Sequence, residues 1–399
     1  MDGQRSEKIS VADLPIAEDR DAAWRMIRAR GRTVDLGGEI ALTDIETVET
    51  AFRQPAVFSS MKAFEMLASP LPLVPIAFDP PEQTRYRRIL QPFFSPRAIR
   101  PLEAGLRRQV IEIIEPLAAR GECDFVAEVA RIFPVQAFLT LFGFQIDMRD
   151  QLIDWKDAVL GLVDASGNTA LEGAAAEAAM GKAGELFFYL SDLVTKRRGV
   201  AGDDVLSRLL CLAGEEALTD VEAIGLCFLF VLAGLDTVTG SLGFGMERLA
   251  RNPVQRREIV DDPSLIPAAV EELVRLDPPA PFVPRVTAKE TELDGRTLPA
   301  GTRVFGYLAA ANRDEARHPD PYAVNFHRGD NPHASFGIGV HRCLGSHLAR
   351  MEMRLVYAEW HKRIPDYSVA PGAVPRVKWP QGTLGLEALP LVFPPWVAR

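Results

Sequence analysis

The stretch H-A-S-F-G-I-G-V-H-R-C-L-G-S-H-L-A-R, His333 to Arg350, constrains this 399-residue chain more than any other. Gly337 and Gly339 stand six and four positions ahead of Cys343, and Gly345 follows it, heading a segment that reads as helix through about Arg363. Glycines let a loop turn tightly and approach a flat ligand closely. A cysteine on such a loop lies near a positive helix end, within reach of backbone N–H groups, and both effects favour thiolate over thiol. A thiolate so framed suits an iron axial ligand. A lone cysteine is ordinarily a small buried hydrophobe, and that reading goes to Cys123, Cys211 and Cys227, which have no such frame. The four cysteines show no C-x-x-C spacing, so neither a disulfide framework nor a zinc site is supported.

Around this loop the pattern is mainly helical. From about residue 98 to about residue 252, apolar residues recur with helical period between short Gly, Pro and Asp interruptions. Leu106, Val110, Ile113, Ile114 and Leu117 form one such stripe. Leu218 to Asn252 opens with Thr219 and Glu222 at capping-box spacing and is predicted to be a long central helix. Its apolar run, Ile224 to Leu235, is too short to cross a bilayer and ends at Asp236, so a buried core helix is expected. Strand-like pieces occur at 33–43, 291–304 and 388–393. The predicted fold is mainly α with a small β region, one domain over residues 1–399.

The net charge of -9 and the lack of a Lys/Arg-rich block argue against a nucleic-acid partner. The polar start M-D-G-Q-R-S-E-K lacks an apolar targeting or anchoring stretch, so no membrane association and a cytoplasmic location are expected. Glu272-x-x-Arg275 places opposite charges on one helix face. In L-A-G-L-D-T-V-T, Gly234 costs a buried helix about 1 kcal/mol relative to alanine, which calls for a local reason.

Phe336, Gly339, Cys343 and Gly345 match F-x-x-G-x-x-x-C-x-G, and Ala233, Gly234, Asp236 and Thr237 match A/G-G-x-D/E-T. With Glu272-x-x-Arg275 these motifs resemble the cytochrome P-450 superfamily over nearly the whole chain. The A-G-L-D-T-V and C-x-G-x-H-L-A-R runs and the ending R-I-P-D-Y-S-V-A-P-G are most similar to its bacterial camphor-hydroxylase branch. The resemblance implies the P-450 fold and haem b held by the Cys343 thiolate on a loop that includes Phe336, Gly337, Gly339 and Gly345. It implies a central helix crossing the haem at Ala233 and Gly234 with a widened turn, Thr237 bonding dioxygen and Asp236 relaying protons. Glu272 and Arg275 with Arg328 would lock the scaffold, and Arg87, Arg285 and His341 would hold the propionates. Gln83 stands where the family often has a propionate-binding histidine.

The matching pocket wall, Leu229, Leu232, Ala233, Val283 and Leu384, is apolar, which suggests binding by shape and desolvation. Residues 71–82 lack the tyrosine that anchors camphor, which argues against camphor itself. The implied reaction inserts one oxygen atom from dioxygen into a C–H bond of a small hydrophobic, terpenoid-like substrate. No flavin or nicotinamide fingerprint is present, so electrons are expected from a two-iron two-sulfur ferredoxin with its reductase. Arg342, Arg350 and Arg88 are the expected docking patch. Two other readings remain, a haem-thiolate sensor without turnover and a haem-free binding module; Asp236 and Thr237 favour turnover over the sensor.

Overall fold

The computed structural model describes residues 10–65, 69, 71–162 and 170–396. Its axis is the helix Asp220–Arg251, where the Thr219 hydroxyl accepts from the Glu222 amide and the Glu222 carboxylate accepts from the Thr219 amide. That reciprocal cap satisfies two otherwise orphaned donors and fixes the start. This helix is long and apolar enough to cross a membrane by length and composition. It instead packs against Gly173–Arg197, Phe133–Phe142, Ile266–Leu276 and Ser346–Arg363, as the core helix of a bundle.

Beside it, the helix Glu103–Arg120 buries Leu106, Val110, Ile114 and Leu117, with Ile113 at the edge of the core, and packs on Ser346–Arg363. It ends at Gly121, whose φ of 83° is the left-handed cap that glycine adopts without a Cβ penalty.

The β region is small. A five-stranded sheet runs Thr33–Asp35, Glu39–Leu42, Arg303–Tyr307, Phe282–Thr287, Phe58–Ser59 in spatial order. Only Glu39–Leu42 with Arg303–Tyr307 is parallel. The 291–304 stretch resolves into a hairpin, Thr291–Leu293 with Arg296–Leu298, followed by the first residues of the sheet strand Arg303–Tyr307. Pro390–Val392 lies between Glu122–Asp124 and Ser368–Val369 in a second sheet. Three apolar clusters fill the interior: one around the central and Ser346–Arg363 helices, one under the first half of the central helix, and one beneath the larger sheet.

Candidate active site

The cysteine loop folds as its glycines require. Gly337 and Gly339 have φ of 70° and 73°, and a Cβ at Gly339 would lie 2.4 Å from the Phe52 carbonyl oxygen. No L side chain fits there without strain. The Cys343 amide donates to the Phe336 carbonyl at 2.7 Å, closing the loop, and the helix Ser346–Arg363 begins directly after Gly345. Gln83 is buried and donates to the Val340 carbonyl at 2.6 Å, so its amide braces the loop where the family often has histidine.

Cys343 is accessible, as are Ala233 and Gly234 in mid-helix, where a residue of a core helix is ordinarily covered. A Cβ at Gly234 or at Gly345 would meet no atom within 4 Å. Burial among protein atoms pushes the Cys343 thiol up, opposed by a hydrogen bond from the Gly345 backbone and by the charges of Arg87, Arg350 and Arg342. A metal cation bound at the sulfur favours thiolate over thiol. Among the described residues no group of three or more His, Cys, Asp or Glu side chains is placed to hold a metal ion. A metal at Cys343 must therefore bring its other ligands with it, as the iron of a porphyrin does.

The charges nearby fit that group. Arg285 is buried on the strand Phe282–Thr287, stacks 4.3 Å over the Phe52 ring and, among the described residues, donates only to the Pro284 carbonyl. Burial pushes its guanidinium down to about 10, with Asp79 opposing. His341 Nε2 is buried without a partner among the described residues, and burial together with the charges of Arg285 and Arg87 pushes its imidazole down to about 4. Burial likewise lowers Arg87, which feels the Cys343 sulfur. Buried cations without anions are costly. Two haem propionates would supply the missing charge to Arg285 and Arg87 and an acceptor or donor to His341.

Behind the loop, Glu272 binds Arg275 at 2.7 and 2.9 Å and Arg328 at 3.0 Å, with the Asn325 amide and Asn331 side chain completing its shell. On the central helix, Asp236 accepts from Lys156 Nζ at 2.7 Å, and the same ammonium bonds Asp157 at 2.5 Å. Thr237 Oγ1 donates back to the Ala233 carbonyl at 2.9 Å.

Several expectations need correction. The central helix runs α-helical through Gly234 without the widened turn; the π-type turn described lies at Val126–Ala130, and Thr237 uses the ordinary i−4 carbonyl. Leu384 is 1% exposed in the main core, while Leu229, Leu232 and Val283 are half-buried and Ala233 exposed. Arg350 is not a free docking charge: it forks onto Glu271 at 2.5 and 2.7 Å and stacks 4.0 Å over Phe336. Arg88 is exposed, 3.8 Å from Glu216, and Arg342 is exposed with no ion pair among the described residues. Cys123 and Cys227 are buried with thiols pushed up to about 12, mainly by burial, but Cys211 is exposed.

Lys156, Glu271 and His333 escaped the sequence reading. Lys156 sits among aspartates in D-W-K-D, a pattern typical of a solvated helix face, and its partner Asp236 is 80 positions away. Glu271 and His333 bordered recognised motifs, the one signal that pointed to them.

A cytochrome P450 family profile matches residues 196–360. The chain is 30% identical over 396 residues to a steroid C26-monooxygenase of Mycobacterium tuberculosis, covering 97% of each chain. It is 34% identical to the vitamin D(3) 25-hydroxylase of Pseudonocardia autotrophica, over 83% of this chain and 80% of that protein. Among solved structures, a mutant of P450 EryK in complex with erythromycin B superposes with a TM-score of 0.84 at 31% identity, covering 94% and 96% of the two chains. With a cysteine loop that carries the charges of Arg87, Arg342 and Arg350, and with a relative 30% identical over 97% of its length, the chain belongs to the cytochrome P450 family of haem-thiolate monooxygenases.

Proposed function

We propose that this P450 hydroxylates a hydrophobic, terpenoid-like substrate, in the cytoplasm and as a single domain, with electrons from a two-iron two-sulfur ferredoxin and its reductase. The observation that carries the substrate reading is the apolar stretch of the central helix where Leu229 and Leu232 are half-buried and Ala233 is exposed, with Val283 half-buried on the strand Phe282–Thr287. Such a wall binds by desolvation, about 25 cal/mol per Å² of apolar surface covered. The names of two relatives point the same way, since steroids and vitamin D(3) are isoprenoid-derived skeletons.

Haem, when bound, activates dioxygen and delivers one oxygen atom to the substrate. The chain's residues supply the rest. Cys343 gives the thiolate, and Arg87, Arg285 and His341 seat the propionates. Phe336 and Gln83 brace the loop, while Gly337, Gly339 and Gly345 give it its shape. Glu272, Arg275 and Arg328 hold the scaffold behind it.

Ala233 and Gly234 leave space on the opposite side. Thr237 keeps its oxygen free to accept a hydrogen bond while its own proton goes to Ala233, and Asp236 passes protons inward once it leaves Lys156. Arg342 and Arg88 remain available to an acidic donor protein.

The test is spectroscopic. Titration with steroids and smaller terpenoids should shift the ferric Soret band from low to high spin, and macrolides should not. A shift with macrolides alone would replace the substrate class. Thr237→Ala should keep haem and the spin shift while sending electrons to peroxide; tightly coupled product formation would remove Thr237 from proton delivery.

A further inference from the structure

Three arginines, Arg87, Arg350 and Arg342, place positive charge toward the Cys343 sulfur. Among the described residues only Arg350 carries a carboxylate partner. That partner, Glu271, directly precedes Glu272 in the middle of the helix Ile266–Leu276 and belongs to none of the motifs above. Its two oxygens take the Nε and Nη2 hydrogens of Arg350, a planar two-point geometry that fixes the guanidinium in orientation as well as distance.

The same guanidinium lies over the Phe336 ring, and Phe336 supplies the carbonyl that receives the Cys343 amide. His333 completes the group: its Nε2 is 3.1 Å from Glu271 and its ring lies 5.9 Å from that of Phe336. Despite burial, hydrogen bonds from His333 and Arg350 and the charge of Arg350 hold the Glu271 carboxyl down to about 2, so it is ionised throughout the working range.

We propose that Glu271 is a positioning residue that sets the reduction potential of the thiolate-bound haem, by cancelling the charge of Arg350 near the sulfur and pinning Arg350 against Phe336. The sign follows from charge. Reduction adds one negative charge to the iron site, so uncompensated positive charge nearby favours the ferrous form and uncompensated negative charge opposes it. Removing Glu271 leaves Arg350 unbalanced, whereas removing Arg350 leaves Glu271 unbalanced. A purely structural role has no such sign.

The experiment is a spectroelectrochemical titration of the haem-loaded protein without substrate or redox partner. Glu271→Gln should raise the potential and Arg350→Gln should lower it, each by about three- to tenfold in the reduction equilibrium constant, the scale of one partly screened charge. The double variant should return close to the parent, with the thiolate-type carbon monoxide band kept throughout. Shifts of the same sign in both single variants, or no shift in either, overturn the proposal. Should Glu271→Gln fail to hold haem, Arg350→Lys and Arg350→Gln differ by one charge at the same place: a higher potential for the lysine variant supports the proposal and equal potentials overturn it.

Discussion

Two charge clusters, one behind the cysteine loop and one at Asp236 on the central helix, are built differently. Behind the cysteine loop, Glu272, Arg275 and Asn312 are fully buried; Glu272 is ringed by Arg275, Arg328, Asn325 and Asn331, and Arg275 also donates to the Asn312 and Pro321 carbonyls. Every charge there has several partners. On the central helix, Asp236 is held by Lys156 alone among the described residues, and Lys156 is shared with Asp157, itself bonded to Arg131. The Asp236 side chain is 14% exposed. A cluster with redundant bonds cannot yield one contact without stranding a buried charge, whereas a single shared ammonium can be exchanged for another donor. The first arrangement suits a scaffold and the second suits a group that must move a proton.

The largest effect should come from the redundant cluster. Glu272→Ala strands Arg275 and Arg328, and breaking a buried pair costs on the order of 3–5 kcal/mol, a large part of a typical folding free energy of about 5–15 kcal/mol. Haem incorporation should fall sharply and the urea unfolding midpoint should drop. A variant that bound haem normally with an unchanged midpoint would erase the contrast between the clusters.

Lys156→Met sharpens the other half. It removes the cation from Asp236 but leaves a flexible apolar chain of similar length, at a cost of about 1–2 kcal/mol because water reaches Asp236. Haem content should stay near that of the parent. The solvent deuterium isotope effect on coupled turnover should shrink, since the proton-carrying group no longer has to leave a salt bridge. If the isotope effect and the peroxide fraction are both unchanged, the distal pair is scaffold like its counterpart.

The sequence announced these two sides unequally. Cys343, its glycines and the Glu272–Arg275 pair are local patterns, in which partners lie within a loop or one helical turn. The long central helix was also legible, down to its Thr219 cap. Lys156–Asp236 and Glu271–Arg350 were not, because they join elements distant in the chain and each residue alone looks like an ordinary helix-surface charge. Leu384 is ambiguous for the converse reason: an apolar residue reads alike whether it faces a pocket or the core. The widened turn came with the resemblance and not from the residues around Gly234, and the helix there is regular. Substrate class and electron donor depend on pocket shape and surface fit, which no motif carries.

The smallest effect is a slope in acid, and it separates the two sides through charge alone. Glu271, on the cysteine side, has its carboxyl held down to about 2 against an ordinary value of 4.5. A carboxylate depressed on folding contributes stability that is fully present above its unfolded value and is lost as pH falls toward its folded value. The window is therefore about pH 4.5 down to about 2. In it the parent should lose stability faster than Glu271→Gln, while the two curves run parallel above pH 5. Chemical denaturation at a series of pH values measures this. Because Glu271 is partly exposed and salt screens its pair with Arg350, the difference in slope should narrow at high ionic strength. Parallel curves throughout would mean that Glu271 gains nothing from Arg350 and His333 on folding, leaving Glu272 as the acid that ties the cysteine side together.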